Sequence, residues 1–269
     1  MTAMTTDDDD RGAQRSVQSV EVGGRLLLAL AGKPAPMTLK ELATRAELSA
    51  SRAHPYLVSF GRLGLIEQDG VTGRYALGPA AFQIGLACLH QSDPIRAATP
   101  AAEALARRID QAVAIAVWAN FGPTIVRLID GSRPLHVNMR AGTVMAPFGT
   151  ATGEAFAATL PRREVEQALA ATYGDDAQRV HAESRQIGRL LKQAAADLAA
   201  HGLTRATGKP IPGVNAFSAP ARDHEGRTVL VITALGPASD FPPDWDGPIA
   251  QAVREAAAEV SRRLGWAAG

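Results

Sequence analysis

Three short helical segments followed by a glycine-tipped hairpin, all within residues 15–77, constrain the fold of this chain more than any other feature. Apolar residues on one helical face, among them Val20, Leu27 and Leu30, predict a first helix that ends near Gly32. A glycine- and proline-rich run then breaks the helix. Each signal is common in isolation, but the order and tight spacing of the series are specific.

The second and third helices are marked by their caps. The segment from Thr38 to Glu41 is a capping box, in which the threonine hydroxyl accepts a bond from the amide three residues on and the glutamate reaches back. Ser49 is the predicted cap of the third helix, in which Ala53 and Leu57 face inward. Two short helices with so brief a connection predict a helix-turn-helix, whose second helix can read DNA.

A β-hairpin completes this region. Leu65–Asp69 and Arg74–Leu77 are predicted strands, joined by a Gly-Val-Thr-Gly turn. Three helices and a hairpin in this order predict a winged helix-turn-helix.

A connecting helix is predicted over Pro79–His90. It carries a broad apolar surface that includes Phe82, Ile84 and Leu86, and the Ser-Asp-Pro sequence that follows restarts the chain. We expect this helix to join two domains and to contribute to dimerisation, together with the helix at Ser16–Leu30.

The rest of the chain alternates helical and extended patterns. Helices flanking hairpin-linked strands predict an α+β domain with a mostly antiparallel sheet. The expected helices are Ile95–Ile109, Gly153–Leu160, Arg163–Thr172, Ser184–Ala200 and Ile249–Leu264, and the expected strands are Ala112–Asn120, Thr124–Asp130, Leu135–Arg140, Leu203–Arg205, Val214–Ala221 and Thr228–Leu235.

Charge is distributed unevenly along the chain. Residues 1–14 are polar and carry four Asp against one Arg, which predicts a disordered acidic leader. Residues 15–92 carry eight Lys and Arg against five Asp and Glu, so the mildly basic part coincides with the predicted winged helix. Such an excess permits contact with a phosphate backbone without requiring it.

Composition and segment patterns exclude several classes of protein. One cysteine in 269 residues excludes an intrachain disulfide framework and fits a reducing compartment. No stretch is apolar enough to predict a transmembrane helix, and Asp7–Asp10 stand where a signal peptide would need basic and apolar residues. We therefore expect a cytoplasmic protein with no membrane partner.

Signatures of catalysis and of metal binding are missing from the sequence. It contains no nucleophile elbow, P-loop, zinc-protease motif or dinucleotide-binding loop, and its six histidines lack ligand spacing. Cys88 is interpreted as a small buried hydrophobe in the connecting helix rather than as a nucleophile or sensor. The sequence therefore predicts no enzyme, no cofactor and no metal site.

An ordered series of short motifs, from about Val17 to Leu264, resembles the isocitrate lyase regulator (IclR) family of bacterial transcription factors. No single motif decides the resemblance. The matching segments are Gln-Ser-Val-Glu at 18–21, Thr-Leu-Lys-Glu-Leu-Ala at 38–43, Ser-Arg-Ala-His at 51–54, Leu-Gly-Leu-Ile-Glu at 63–67, Gly-Arg-Tyr-Ala-Leu-Gly at 73–78, Thr-Ala-Thr-Gly at 150–153, Gly-Val at 213–214 and Gly-Arg at 226–227.

The resemblance implies a winged helix-turn-helix joined by a linker helix to a GAF-like effector-binding domain. It also implies a homodimer or homotetramer that binds double-stranded operator DNA and a small-molecule effector. The expected organisation is an acidic leader, a DNA-binding domain, a linker helix and an effector-binding domain, over residues 1–14, 15–77, 78–92 and 93–269 in turn.

The residues predicted to contact DNA lie on the helix-turn-helix and the hairpin. Arg52 can bond a guanine through two N–H groups. Arg74 can reach a phosphate or a minor groove, with an ordinary hairpin salt bridge as the alternative. Tyr56 either packs or bonds a phosphate, and Pro55, where many relatives have arginine, predicts a kink. The full set is Thr38, Ser49, Ser51, Arg52, His54, Tyr56 and Arg74.

The predicted effector site lies between the sheet of the second domain and a loop of small residues, whose amides before a helix start can hold a carboxylate. Well-known family members carry polar residues where this chain has Ala206, Ala216 and Leu235. Their loss disfavours a glyoxylate- or pyruvate-like ligand and favours an aromatic or hydrophobic acid. The set inferred from the resemblance is Met139, Met145, Phe148, Gly149, Thr150, Ala151, Ala216, Phe217, Thr233 and Leu235.

The sequence thus favours a ligand-responsive, DNA-binding regulator, of a catabolic operon in our interpretation. The alternative is a small-molecule-binding module or an enzyme that uses the α+β domain without DNA. A winged helix-turn-helix would serve no purpose in an enzyme, which separates the two hypotheses. The operator, the effector, the sign of regulation and the choice between dimer and tetramer stay open at this point.

Overall fold

The computed structural model describes residues 17–33, 35–91, 93–132, 139–173 and 177–267, with the side chains of 89–90 and 171–186 excepted. The chain divides into two compact units, one up to Gln91 and one from Ser92. Among the described helices none is long and apolar enough to cross a membrane.

Two of the sequence predictions lie wholly or partly outside the described residues. The acidic leader at 1–14 is one of them. The other is the predicted strand Leu135–Arg140, of which only Met139 and Arg140 are described, and these two residues are not in a strand.

The first unit has the order of elements that the sequence predicts for a winged helix-turn-helix. Its two strands pair antiparallel with Ile66 opposite Leu77, and Met37 bridges to Tyr75 beside them. The bounds are α1 Gln18–Ala31, α2 Leu39–Arg45, α3 Ala50–Arg62, β1 Ile66–Gln68, β2 Tyr75–Leu77 and α4 Pro79–Gln91.

The core of the first unit joins all three leading helices to the hairpin. Leu26, Leu42 and Leu57, one from each of α1, α2 and α3, are almost fully buried together with Met37. Helices α1 and α3 approach so closely that a Cβ at Gly23 would lie 2.8 Å from the ring of Phe60. This packing fixes which side of α3 is left for solvent.

Helix α4 exposes the apolar surface that the sequence predicts. Phe82 and Ile84 are 71% and 62% exposed, and Leu86 is exposed too. Cys88 is also exposed, so its interpretation as a buried hydrophobe is wrong. The reason is that, within the first unit, α4 packs chiefly against β1, so most of its side chains are exposed.

The second unit is an α+β fold, as predicted. Its described strands form one antiparallel sheet in the order β4-β3-β7-β6-β5. The bounds are α5 Pro94–Ile109, β3 Ala112–Ala119, β4 Gly122–Ile129, α6 Ala151–Ala157, α7 Arg162–Tyr173, α8 Ala177–His201, β5 Thr204–Thr207, β6 Val214–Arg222, β7 Thr228–Pro237 and α9 Pro248–Arg263.

Both faces of this sheet are covered by helices. Helices α5 and α9 pack on one face, where Val113 and Ile115 of β3 point. Helix α6 covers the other face, where Ala114 and Ala116 point, and α7 and α8 lie behind it. Because successive side chains of a strand alternate between faces, each strand contributes to two separate cores.

Strand β4 begins at Gly122 rather than at the predicted Thr124, so it includes Pro123. Proline has no backbone N–H to donate to a neighbouring strand. It is therefore tolerated on an edge strand, which has a neighbour on one side only. β4 is such an edge strand. The carbonyl oxygen of Pro123 instead accepts a bond from the amide of Met145 at 2.7 Å, which ties the loop before α6 to the sheet.

Candidate nucleic-acid interface and ligand cavity

The first turn of α2 is closed by the predicted capping box. The Thr38 hydroxyl accepts from the Glu41 amide at 3.3 Å, and the Thr38 amide donates to Glu41 Oε2 at 2.8 Å. That amide bond is the main reason that the pKa of the Glu41 carboxyl is lowered. Since this carboxylate holds the Thr38 amide, the structure shows the capping role of Thr38, and its phosphate role stays a prediction.

Arg74 joins the hairpin to the same network. Its Nη1 group donates to Glu41 Oε2 at 3.2 Å and to the carbonyl oxygen of Pro36 at 3.1 Å. This is the ordinary salt bridge that the sequence analysis left as the alternative for Arg74. About half of each side chain is exposed, so the pair is open to solvent and to an approaching anion.

The start of α3, unlike that of α2, carries no negative charge. Ser49 caps it by accepting from the Arg52 amide at 3.3 Å, and its hydroxyl lies 3.1 Å from that of Ser51. No acidic residue occurs in the first turn, so the positive end of the helix dipole is not neutralised there. Ser51, Arg52 and His54 are all exposed beside it, which gives this face the chemistry of a DNA-reading surface.

Two other residues of α3, Tyr56 and Pro55, were also considered in the sequence analysis. Tyr56 is half-buried, packs against the core and meets the backbone of α1 near Gly23, so the structure shows the packing alternative. Pro55 stands inside α3, which continues through it to Arg62.

The tip of the hairpin is held by Asp69, a role the sequence analysis did not assign. Its Oδ1 accepts from the amides of Thr72 and Val71 and from the Thr72 hydroxyl, at 2.6, 3.1 and 2.8 Å. Chiefly through the Thr72 amide, these bonds lower the pKa of the Asp69 carboxyl. The tip is therefore ordered while Val71 stays 95% exposed.

A cavity opens in the second unit on the face of the sheet that α6 covers. Two loops border it, the one that precedes α6 and the one between β5 and β6. Its volume is about 40 Å³, little more than the roughly 30 Å³ that one water molecule occupies in the liquid. Strands β5, β6 and β7 place Ala206, Ala216 and Leu235 side by side on this face. The lining residues are Met139, Met145, Thr150, Ala151, Thr152, Ala206, Lys209, Pro210, Ile211, Val214, Ala216, Thr233 and Leu235.

Hydroxyl groups supply the buried polar groups beside the cavity. Thr233 Oγ1 lies 2.9 Å from Thr152 Oγ1 and 2.7 Å from Ser218 Oγ, so the three make one chain. The Thr150 hydroxyl is used separately, since it donates to the Ala146 carbonyl oxygen at 2.7 Å and accepts from the Gly153 amide at 3.0 Å.

An amide of the loop before α6 is hydrogen-bonded to a carboxylate of the chain itself. Glu154 Oε1 accepts from the Gly149 amide at 3.2 Å. Burial raises the pKa of the Glu154 carboxyl, while that amide bond acts in the opposite direction. Of the amides from Gly149 to Thr152 that were expected to anchor a ligand's carboxylate, that of Gly149 thus has a partner within the chain.

Comparison with protein families covers both units. The model for the IclR helix-turn-helix domain matches residues 19–70, and the model for the bacterial transcriptional regulator IclR C-terminal domain matches residues 86–262. The chain belongs to the IclR family of bacterial transcriptional regulators. Members of this family are DNA-binding regulators of transcription and not enzymes.

Individual relatives of this IclR-family chain match over nearly their whole length. It is 30% identical to the glycerol operon regulatory protein of Streptomyces griseus over 262 residues, which is 93% of this chain and 98% of that protein. The crystal structure of Pseudomonas aeruginosa HmgR is 34% identical with a TM-score of 0.81, covering 93% of this chain and 99% of HmgR. The repressor BlcR of Agrobacterium tumefaciens shares the fold at 21% identity and a TM-score of 0.71, over 94% and 99% of the two chains.

The fold brings most of the predicted effector residues of this family member together. Seven of the ten predicted residues line the cavity, namely Met139, Met145, Thr150, Ala151, Ala216, Thr233 and Leu235. The other three do not line it. Phe217 points to the opposite face of the sheet, where it packs on Phe241 and Trp245, because it follows Ala216 directly on β6. Placing it beside Ala216 in one cavity was wrong.

Phe148 and Gly149 are also displaced from the cavity. Phe148 packs against the cluster of Val165, Leu169 and Ile187 from α7 and α8, and Gly149 directs its amide to Glu154. Gly149 adopts φ 75°, a left-handed conformation, just before α6 begins.

Several lining residues were not predicted. Lys209, Pro210 and Ile211 come from the loop between β5 and β6, and Val214 begins β6. The alternation of side chains on β6 would have found Val214, two residues before Ala216. The loop residues have no such local signal. Among the described residues, no group of three or more His, Cys, Asp and Glu side chains could hold a metal ion.

Proposed function

We propose that this chain is a ligand-responsive regulator that reads operator DNA through α3 and the hairpin and controls a catabolic operon. The observation that carries the DNA-reading role is the exposed face of α3. There Ser51, Arg52 and His54 surround a helix start that has no acidic residue in its first turn. In a helix-turn-helix the residues at the start of the second helix contact base edges.

The test is to measure binding of the full chain to promoter DNA flanking its gene. Arg52→Ala should weaken specific binding by about 1–3 kcal/mol, the value of a bidentate contact with guanine. Arg107→Ala, the same change at an exposed position of α5 in the second unit, should leave binding unchanged. If Arg52→Ala keeps both operator affinity and selectivity, the proposed recognition face is wrong.

The regulator is proposed to act as a homodimer or as a dimer of dimers, since one helix-turn-helix covers only one half-site. Helix α4 supports this, because its sequence contains no charged residue and Phe82 and Ile84 are largely exposed. An uncovered patch of this kind favours self-association. Ile84→Glu should yield smaller particles in light scattering. A wild-type chain that is monomeric at micromolar concentration, with and without DNA, would contradict the proposal.

The proposed effector is an aromatic or otherwise hydrophobic acid. Support comes from the cavity lining, in which Met139, Met145, Ile211 and Leu235 are apolar and polar groups are few. The cavity volume of about 40 Å³ is smaller than a ring-sized ligand needs, so binding requires the two loops to move apart. Methionine side chains, with three rotatable bonds each, make such repacking easy.

Thermal-shift screening tests the effector class. Aromatic acids should stabilise the full chain, whereas glyoxylate and pyruvate should not. The opposite pattern would refute an apolar effector site while leaving the proposed DNA-reading role intact.

A further inference from the structure

We infer that the effector carries its carboxylate at the mouth of the cavity, against Lys209, and an oxygen acceptor at the buried end, against the hydroxyls of Thr152 and Thr233. This assignment rests on the proposed effector-binding function. It reverses the orientation expected from the sequence, in which the carboxylate lies on the loop before α6.

Lys209 is the charged residue among those that line the cavity. Its side chain is exposed, whereas Thr152 and Thr233 are only 2% and 4% exposed. The described carboxylates include none within 4 Å of the Lys209 ammonium group. A cation that has no carboxylate partner among the described residues, at the open end of an apolar cavity, favours an anionic ligand.

The loop that carries Lys209 is anchored at both ends. The Gly208 amide donates to the Val214 carbonyl oxygen at 2.9 Å and to Asn215 Oδ1 at 3.1 Å. The Asn215 amide nitrogen donates in turn to the Phe241 carbonyl oxygen at 2.8 Å. Lys209 therefore begins from a backbone fixed to the edge of the sheet.

The buried end of the cavity has one hydrogen-bond donor to spare. Thr152, Thr233 and Ser218 supply three hydroxyl hydrogens, and the two bonds among them use two. The described residues provide no further acceptor for these hydroxyls. Whichever way the chain is oriented, one hydrogen is left over, and rotation of the hydroxyls can place it on Thr152 or Thr233, which line the cavity, or on Ser218. A buried donor without an acceptor is costly, so an oxygen acceptor of the ligand at this end would be favourable.

A carboxylate at Gly149, in the loop before α6, would meet a competitor. The Gly149 amide donates to Glu154, so a ligand carboxylate at this amide would have to displace a group that also becomes negative on ionisation. The ligand class that satisfies both ends is therefore an aromatic carboxylate with a hydroxyl or carbonyl oxygen far from the carboxylate.

Titration calorimetry of the full chain with three probes tests this orientation. The probes are 4-hydroxyphenylacetate, phenylacetate, which lacks the distal oxygen, and 2-(4-hydroxyphenyl)ethanol, which lacks the carboxylate. Wild type should bind the first most tightly. Lys209→Met should weaken binding of both acids about three- to tenfold and leave the alcohol unchanged. Raised salt should weaken wild-type binding of the acids and have little effect on the variant.

Matched variants separate the two contacts from general damage. Lys192→Met removes the same charge from an exposed position of α8 outside the cavity lining and should bind all three probes as wild type does. Thr233→Val should lose the preference for 4-hydroxyphenylacetate over phenylacetate, and Thr233→Ser should restore it.

The contradicting outcomes are distinguishable. If Lys209→Met binds the acids as tightly as wild type, the assignment of Lys209 is wrong and the proposed effector class stands. If wild type binds none of the probes but still binds its operator, both the aromatic-acid class and this orientation are wrong, while DNA reading stands.

Discussion

Gly153, in the first turn of α6, is the position where the structure makes its sharpest prediction. A Cβ on Gly153 would overlap the carbonyl oxygen of Ala146 and would lie 2.7 Å from the carbonyl oxygen of Pro147. Carbon and oxygen atoms normally approach to about 3.3 Å, so the loop would have to move by more than one ångström to clear the Ala146 oxygen. Both obstacles are backbone atoms, which cannot rotate away as a side chain can.

The expected cost of Gly153→Ala follows from this geometry. Overpacking against a fixed neighbour costs up to about 3 kcal/mol, and alanine regains about 1 kcal/mol of helix propensity over glycine. The second unit should lose about 2 kcal/mol of stability, which lowers its Tm by about 4–8 °C for a unit of this size. The same change at Gly188, an exposed position of α8 whose nearest neighbour is the end of Arg162 at 3.9 Å, should instead stabilise by about 0.5–1 kcal/mol.

Tryptophan fluorescence is the appropriate assay for this pair of variants. Trp118, Trp245 and Trp266 are the three tryptophans of the chain, and all lie in the second unit. Denaturation followed by their emission therefore reports the second unit without interference from the first. If Gly153→Ala proves as stable as wild type, α6 does not pack as closely on the loop as described. The position of the cavity wall that this loop forms would then be wrong as well.

Two further predictions concern backbone strain and charge. Glu47, in the turn between α2 and α3, adopts φ 58°, so Glu47→Gly should raise the stability of the first unit by about 0.5–1 kcal/mol, seen as slower amide exchange in α2 and α3; faster exchange would contradict it. Because burial raises the pKa of Glu154 above its ordinary value of 4.5, the folded state holds this proton more tightly than the unfolded state, and stability falls as pH rises through the raised pKa. Glu154→Gln should therefore be more stable than wild type at neutral pH, with the advantage shrinking towards pH 4 in denaturant titrations; an advantage that does not depend on pH would refute this cause.

Local chemistry explains why the first unit was predictable from sequence. The caps at Thr38 and Ser49 are satisfied by atoms within three residues, so the residue types and their spacing suffice. The left-handed turn at Glu47 had no such signal, because a glutamate is not expected there.

The cavity was only partly predictable because its walls depend on long-range packing. Alternation along β6 places Ala216 and Phe217 on different faces. Because both faces of the sheet are buried, however, the apolar pattern does not show which of these two faces borders the cavity until the helices are placed. Lys209 reaches the cavity through a loop whose position depends on Asn215 and Phe241. The exposure of Cys88 likewise depends on what covers α4 rather than on its neighbours in sequence.

The central claim is that one chain couples the cavity in the second unit to DNA reading by the first. The most direct test is the affinity of the full chain for its operator, measured by fluorescence anisotropy with and without a saturating aromatic acid that calorimetry shows to bind. Coupling between two sites is typically worth about 1–3 kcal/mol, so the acid should change operator affinity by about fivefold or more and leave binding to unrelated DNA unchanged. An operator affinity that stays the same at saturation would contradict the account.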